Sequence, residues 1–167
     1  MTRHNDQRPC CGTPQGNERR LEDMGYGRED RAILTIARLY FLSFADPFTQ
    51  GWMRAGAVAR HTFGASRGPQ VAAAVLDAVL EMQTARRAVF EFSNPDSAGC
   101  AQVVCESERQ FMGAMQACRA GRMSTAHANV LLLCEGADSG PLLSALRSLG
   151  GLLDEAPERA TSVPAQH

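Results

Sequence analysis

The sequence predicts an all-α protein, a single compact bundle of about six helices with disordered N- and C-terminal tails. Three observations carry this. Helical hydrophobic periodicity runs from Arg28 to Leu153, no stretch of that span alternates like a strand for long enough to build a sheet, and the breaks in the pattern carry turn and capping residues. At 167 residues, with 44% hydrophobic and 21% charged residues, the chain suits one domain with a real core. The division expected is a polar flexible arm over 1–27, a helical-bundle domain over 28–155 and a flexible tail over 156–167.

The first helix is expected from about Arg28 to Phe44. Glu29 and Asp30 occupy its first turn, where the helix dipole favours acids. Ile33, Ile36, Ala37, Tyr40, Phe41 and Phe44 cover most of its circumference, leaving Thr35, Arg38 and Leu42 opposite, which is the pattern of a central helix. Asp46-Pro47 supplies an N-cap and a first-turn proline for a second helix to about Phe63. Its predicted inner face is Phe48, Trp52, Ala55, Ala59 and Phe63. Gly64 to Gly68 reads as a turn, and Pro69 opens a third helix with a buried stripe of Val71, Val75, Val79, Met82 and Val89. Arg86 falls on that apolar side, either snorkelling over the core edge or making an interhelical ion pair or anion site.

The segment from Phe90 to Asp96 is the one place where a short extended piece is expected. A fourth helix is predicted from about Asp96 to Ala120, stopped by Gly121. Ser124 is expected to cap a fifth helix, apolar nearly all round, to about Cys134. Pro141 opens a sixth, with Leu142, Ala145, Leu146, Leu149 and Leu153 inward. No fixed-period repeat or coiled-coil heptad is present.

Composition limits the chemistry. All seventeen basic side chains are arginine, so no Walker A lysine, kinase-type lysine or Schiff-base lysine exists. No apolar run reaches the roughly 18–20 residues of a membrane span. The polar start, without a signal-peptide core, makes a cytoplasmic protein the expectation. A net charge near −1 gives no global attraction to nucleic acid or anionic lipid.

The six cysteines are the main candidates for chemistry, and a reducing compartment favours thiols over disulfides. Cys100, Cys105, Cys118 and Cys134 run as C-x4-C-x12-C-x15-C, with His127 before the last. If Cys100 precedes the fourth helix, Cys100 and Cys105 with Cys118, Cys134 or His127 would suit a zinc or iron–sulfur centre. The plainer reading is buried inert thiols and no cofactor. Cys100, near a helix N-terminus, and Cys105, beside Arg109, are the candidates for a reactive thiol, with Glu106 and Glu108 opposing ionisation. Cys10-Cys11 lies in the predicted arm, where oxidation or modification is the only chemistry adjacency suggests.

Gly64-Ala65-Ser66-Arg67-Gly68 matches the G-x-S-x-G pattern of hydrolases, but that turn must follow a buried strand, and here the preceding residues have helical period. His61 nearby lacks an acid partner. Residues 47–87 hold five arginines against two acids, a local +3, and residues 96–167 hold five against eight, a local −3. The two halves are therefore expected to dock on each other or on a second copy. A helix–turn–helix reading would use the third helix as reader, and its exposed Asp77 and Glu81 would repel phosphate. Residues 121–132, Gly-Arg-Met-Ser-Thr-Ala-His-Ala-Asn-Val-Leu-Leu, resemble a short stretch downstream of the DNA-binding helices in ParB-like partition proteins. The resemblance spans a dozen residues and transfers no site residue.

The expectation is a non-enzymatic protein-interaction or regulatory module, with a protein partner or a second copy as its ligand. Its candidate contact residues are Trp52, Arg54, Arg60, Arg67, Arg86 and Phe92. A thiol-based redox or metal sensor built on Cys100 and Cys105, and a small DNA-binding regulator, are the alternatives.

Overall fold

A computed structural model describes residues 13–154. The fold is all-α. Among the described residues there are six α-helices: α1 Arg28–Ala45, α2 Gly51–Ala85, α3 Ala98–Ala101, α4 Glu106–Arg119, α5 Met123–Leu133 and α6 Gly140–Asp154. A two-residue antiparallel ladder joins β1 (Arg19–Arg20) to β2 (Val103–Val104).

Helix α1 is the centre of the bundle. Ala32, Ile33, Leu34 and the run from Ile36 to Leu42 are all buried. The side expected to be wetter is therefore covered as well, Arg38 and Leu42 included. Helix α2 packs along α1, and α4 and α6 complete the shell, with α5 packed on α4.

The α1–α2 contact explains a misjudged face. The first turns of α2 bury Gly51, Ala55 and Ala59, spaced about one helical turn apart. A methyl group on Gly51 would meet the Leu39 carbonyl oxygen at 2.2 Å. The two helices thus meet nearly backbone to backbone, and no room remains there for an aromatic ring. Phe48 and Trp52, expected inside, stand 96% and 60% exposed instead. Residues 47–49 form a 3-10 turn rather than the start of α2, with Asp46 accepting from the Phe48 N–H.

The expected turn at 64–68 is a sharp bend within α2. Gly64 has φ 87° and ψ 171°, a conformation open to glycine and strained for any other residue. The arm after the bend carries Pro69, and Gly68 packs against the backbone of Ala59 and Arg60. Val71, Val75, Val79 and Met82 are buried as the stripe predicted, but the helix ends at Ala85, so Val89 lies beyond it and exposed.

The predicted fourth helix is broken in two by β2. Ser97 caps the single turn α3, Val103–Val104 pairs with β1, and α4 then starts from Cys105. Two adjacent β-branched residues favour extended backbone, and they found a partner in a stretch assigned to the arm. That stretch belongs to the fold: Tyr26 is buried, and Leu21 and Met24 pack on the core. Burial, with Glu108 and Asp30 nearby, pushes the Tyr26 phenol up to about 12. Helix α5 begins from Arg122, with no side-chain cap from Ser124. Helix α6 buries Leu142, Leu146, Leu149 and Leu153, with Ala145 only partly covered.

Candidate functional site

Among the described residues, four of the exposed large apolar side chains gather in the chain where α1 turns into α2. Phe44 (38% exposed), Phe48 (96%), Trp52 (60%) and Met53 (50%) all fall within ten residues. The cause is local: the Gly51–Ala55–Ala59 seam uses the inner face of α2, and the Asp46-capped turn holds Phe48 outward.

Beside this turn runs a groove of about 360 Å³ lined by Phe41, Phe44, Gln83, Arg86, Arg87, Ala88, Val89, Phe90 and Phe92. Its floor is aromatic. Phe41 stacks on Phe90 with centroids 4.4 Å apart and tilts against Phe92 at 5.5 Å. Phe44 belongs to both the groove and the exposed turn. A forked ion pair between Arg54 and Asp96 ties the loop that follows Phe92 to the start of α2. Groove and turn are therefore neighbouring parts of one face.

The charges along the groove are of one sign, since its lining has two arginines and no acid. Arg86 donates to the Leu133 carbonyl at 2.6 Å, meets the Glu135 carboxylate at 3.3 Å and lies over the Phe90 ring at 5.6 Å. The Glu135 carboxylate also accepts the backbone N–H groups of Arg87 and Ala88. Those bonds, with the arginine charges, hold it below the usual carboxylate range. The Arg87 guanidinium makes no hydrogen bond or ion pair among the described residues. A second groove, of about 380 Å³ between α2 and the start of α6, has the opposite character: Asp77 and Glu81 flank an exposed Leu80 there.

The contact residues read from the sequence divide into two groups. Trp52 and Arg60 are exposed, and Phe92 is half-buried in the aromatic groove. Arg54, Arg67 and Arg86 are engaged within the chain. Arg67 donates to the carbonyls of Leu152 and Leu153, so it closes the C-terminus of α6 as Arg86 closes that of α5. Helix C-termini present orphan carbonyls and negative partial charge, which a forked guanidinium satisfies. Of the alternatives for Arg86, the interhelical ion pair is the one realised. Phe44, Phe48, Met53, Arg87 and Val89 were missed.

Among the described residues the cysteines do not form a metal centre. Cys100 is disulfide-bonded, which corrects its reading as a thiol; spacing along the chain says nothing of which sulfurs meet. Cys105, Cys118 and Cys134 are free. Cys105 is buried, donates to the Glu91 carbonyl at 3.1 Å, and has its thiol pushed far up by burial and by Glu108. Burial likewise raises the thiols of Cys118 and Cys134. His127 is exposed on α5. Among the described residues no three His, Cys, Asp or Glu side chains gather where a metal could sit. Cys10 and Cys11 lie outside the described residues.

Near Cys105 lies the most buried charged side chain among the described residues. Glu108 accepts Arg38 Nε at 2.7 Å, Arg38 Nη2 at 2.9 Å and the N–H groups of Ser93 and Cys105 at 3.0 Å each. Arg38 also donates from Nη1 and Nη2 to the carbonyls of Ala101 and Val103. These partners are all internal, so this pair joins α1, α4 and the segments around Ser93 and Val103. Ser66 of the G-x-S-x-G pattern is exposed at the bend of α2, with helix on both sides and no strand before it. The described helices include none long and apolar enough to cross a membrane. Comparison with protein families, curated proteins and solved structures finds no match.

Proposed function

We propose that the protein is a binding module for another polypeptide and that the aromatic face at the α1–α2 turn is its contact surface. The observation that carries this is the exposure of Phe44, Phe48, Trp52 and Met53 together beside a groove floored by stacked phenylalanines. Contiguous apolar exposure rimmed by polar residues is the signature of an interaction site, and aromatic side chains dominate the energy of such sites. The supporting charge pattern is local: Arg54 and Arg86 beside this face are paired with Asp96 and Glu135, and the groove lining itself holds arginines and no acid. The thiol-sensor alternative has less support, because it asks Cys105 to ionise in a buried site beside a carboxylate. The DNA-binding alternative meets Asp77 and Glu81 on the exposed side of α2.

The test compares the wild-type chain with a Phe48→Ser/Trp52→Ser variant. Both side chains are exposed, so the circular-dichroism spectrum and melting temperature should match wild type. Expected is that the wild type self-associates or retains a discrete partner in equilibrium binding, and that the variant loses the interaction at least tenfold. Equal binding and equal oligomeric state in the two proteins would overturn the reading.

A further inference from the structure

We infer that the aromatic groove takes an acidic amphipathic segment of a partner protein, one that seats an apolar side chain on Phe90 and Phe92 and sets a carboxylate against Arg87. The inference rests on the binding-module reading above and goes further by naming the chemistry of the ligand.

The argument is one of complementarity. The floor is apolar and rigid, because Phe90 is buried and stacked on Phe41 in α1. One wall is Val89, 47% exposed just past the end of α2. The other is Phe44. An apolar anchor entering here sheds water from rings already held in place, so little side-chain ordering opposes it. At the basic edge, Arg86 is answered by Glu135 and the Leu133 carbonyl. Arg87 meets the same carboxylate only through space; its backbone N–H is bound by Glu135, but its guanidinium has no hydrogen-bond or ion-pair partner among the described residues. Two arginines against one carboxylate leave one positive charge beside the groove. A partner with acids next to its apolar stripe gains a forked carboxylate contact. A basic partner would set like charges together. The acid-rimmed groove at Asp77 and Glu81 selects the other way, so the two grooves should not compete for one ligand.

The experiment uses the full chain and three designed amphipathic peptides that share one Leu/Phe stripe and differ only in flanking Glu, Gln or Arg. Binding is read as fluorescence anisotropy of labelled peptide. The Glu peptide should bind at least tenfold tighter than the Gln peptide and more tightly still than the Arg peptide, and added salt should narrow the gap. Arg87→Glu, at an exposed position whose side chain makes no hydrogen bond or ion pair among the described residues, should reverse the order of Glu and Arg peptides. Val89→Asp should weaken all three. The inference is overturned if the three peptides bind alike, if none binds, or if Arg87→Glu leaves their order unchanged. Those outcomes leave the binding-module reading standing as long as the Phe48→Ser/Trp52→Ser variant still loses its partner; failure of that variant to do so overturns both.

Discussion

Glu108 shows how one side chain can hold a junction that no pattern announces. Its carboxylate is fully enclosed and accepts four hydrogen bonds, two of them from Arg38. Such a pair is weak evidence for net stability, since desolvating both ions offsets much of their attraction, but breaking it strands a buried guanidinium. Glu108→Ala is therefore expected to destabilise the protein by about 3–5 kcal/mol, measured by denaturant unfolding with an unchanged slope. In the sequence Arg38 looked like the polar side of an amphipathic helix, and Glu108 like an acid merely adjacent to Cys105. Periodicity records which face a residue takes, and it is silent about a charge whose partner lies seventy positions away. The same limit hid the disulfide at Cys100.

At the scale of elements, the helices that the sequence placed correctly are those with their own core stripe and their own stop: α1, the arm of α2 after Gly64, and α6. Those it misjudged were decided by neighbours. Helix α2 is the clearest example, because its inner face is chosen by close approach to α1 rather than by the size of its apolar residues. Gly51→Ala adds a methyl against the Leu39 carbonyl and the Ser43 hydroxyl, both too near to be accommodated without movement. The expected loss is about 1–3 kcal/mol by thermal or chemical unfolding, despite the higher helix propensity of alanine. The interruption between α3 and α4 follows the same logic, since Val103–Val104 became extended only because Arg19–Arg20 lies alongside. A second prediction concerns the α2–α5 junction. Hydrogen bonds from Ala88 and Arg87 depress the Glu135 carboxyl in the folded state. Its contribution is therefore present above the ordinary carboxylate range and lost as pH falls through the depressed folded value. The stability difference between wild type and Glu135→Gln should shrink as the pH is lowered through that range, and a pH-independent difference would contradict the assignment.

For the whole molecule, the arginines acquire a common description. Arg38, Arg67 and Arg86 each turn a planar fork toward backbone carbonyls at the end of an element, which a lysine ammonium would do with less geometric fit. Of the arginines that looked available for partners, Arg54, Arg67 and Arg86 are engaged within the chain, while Arg60 stays exposed and Arg87 lies at the edge of the aromatic face. The fold class and the approximate helix count were readable from the chain, whereas the sequence both named Trp52 as a contact residue and placed it on an inner face, and only the packing decides for exposure. The groove was not, because its lining comes from α1, the end of α2 and the loop beyond, and only their convergence makes it. The variants Phe48→Ser/Trp52→Ser and Arg87→Glu separate the two properties of this surface, one removing its grease and the other its sign.

Trp52 is the sole indole in the chain, and it already faces solvent when the protein is folded. Its emission should consequently be red-shifted from the outset and change little on denaturation, making intrinsic fluorescence a poor thermometer for this molecule. A blue shift on mixing with another protein would instead report that the ring has been covered.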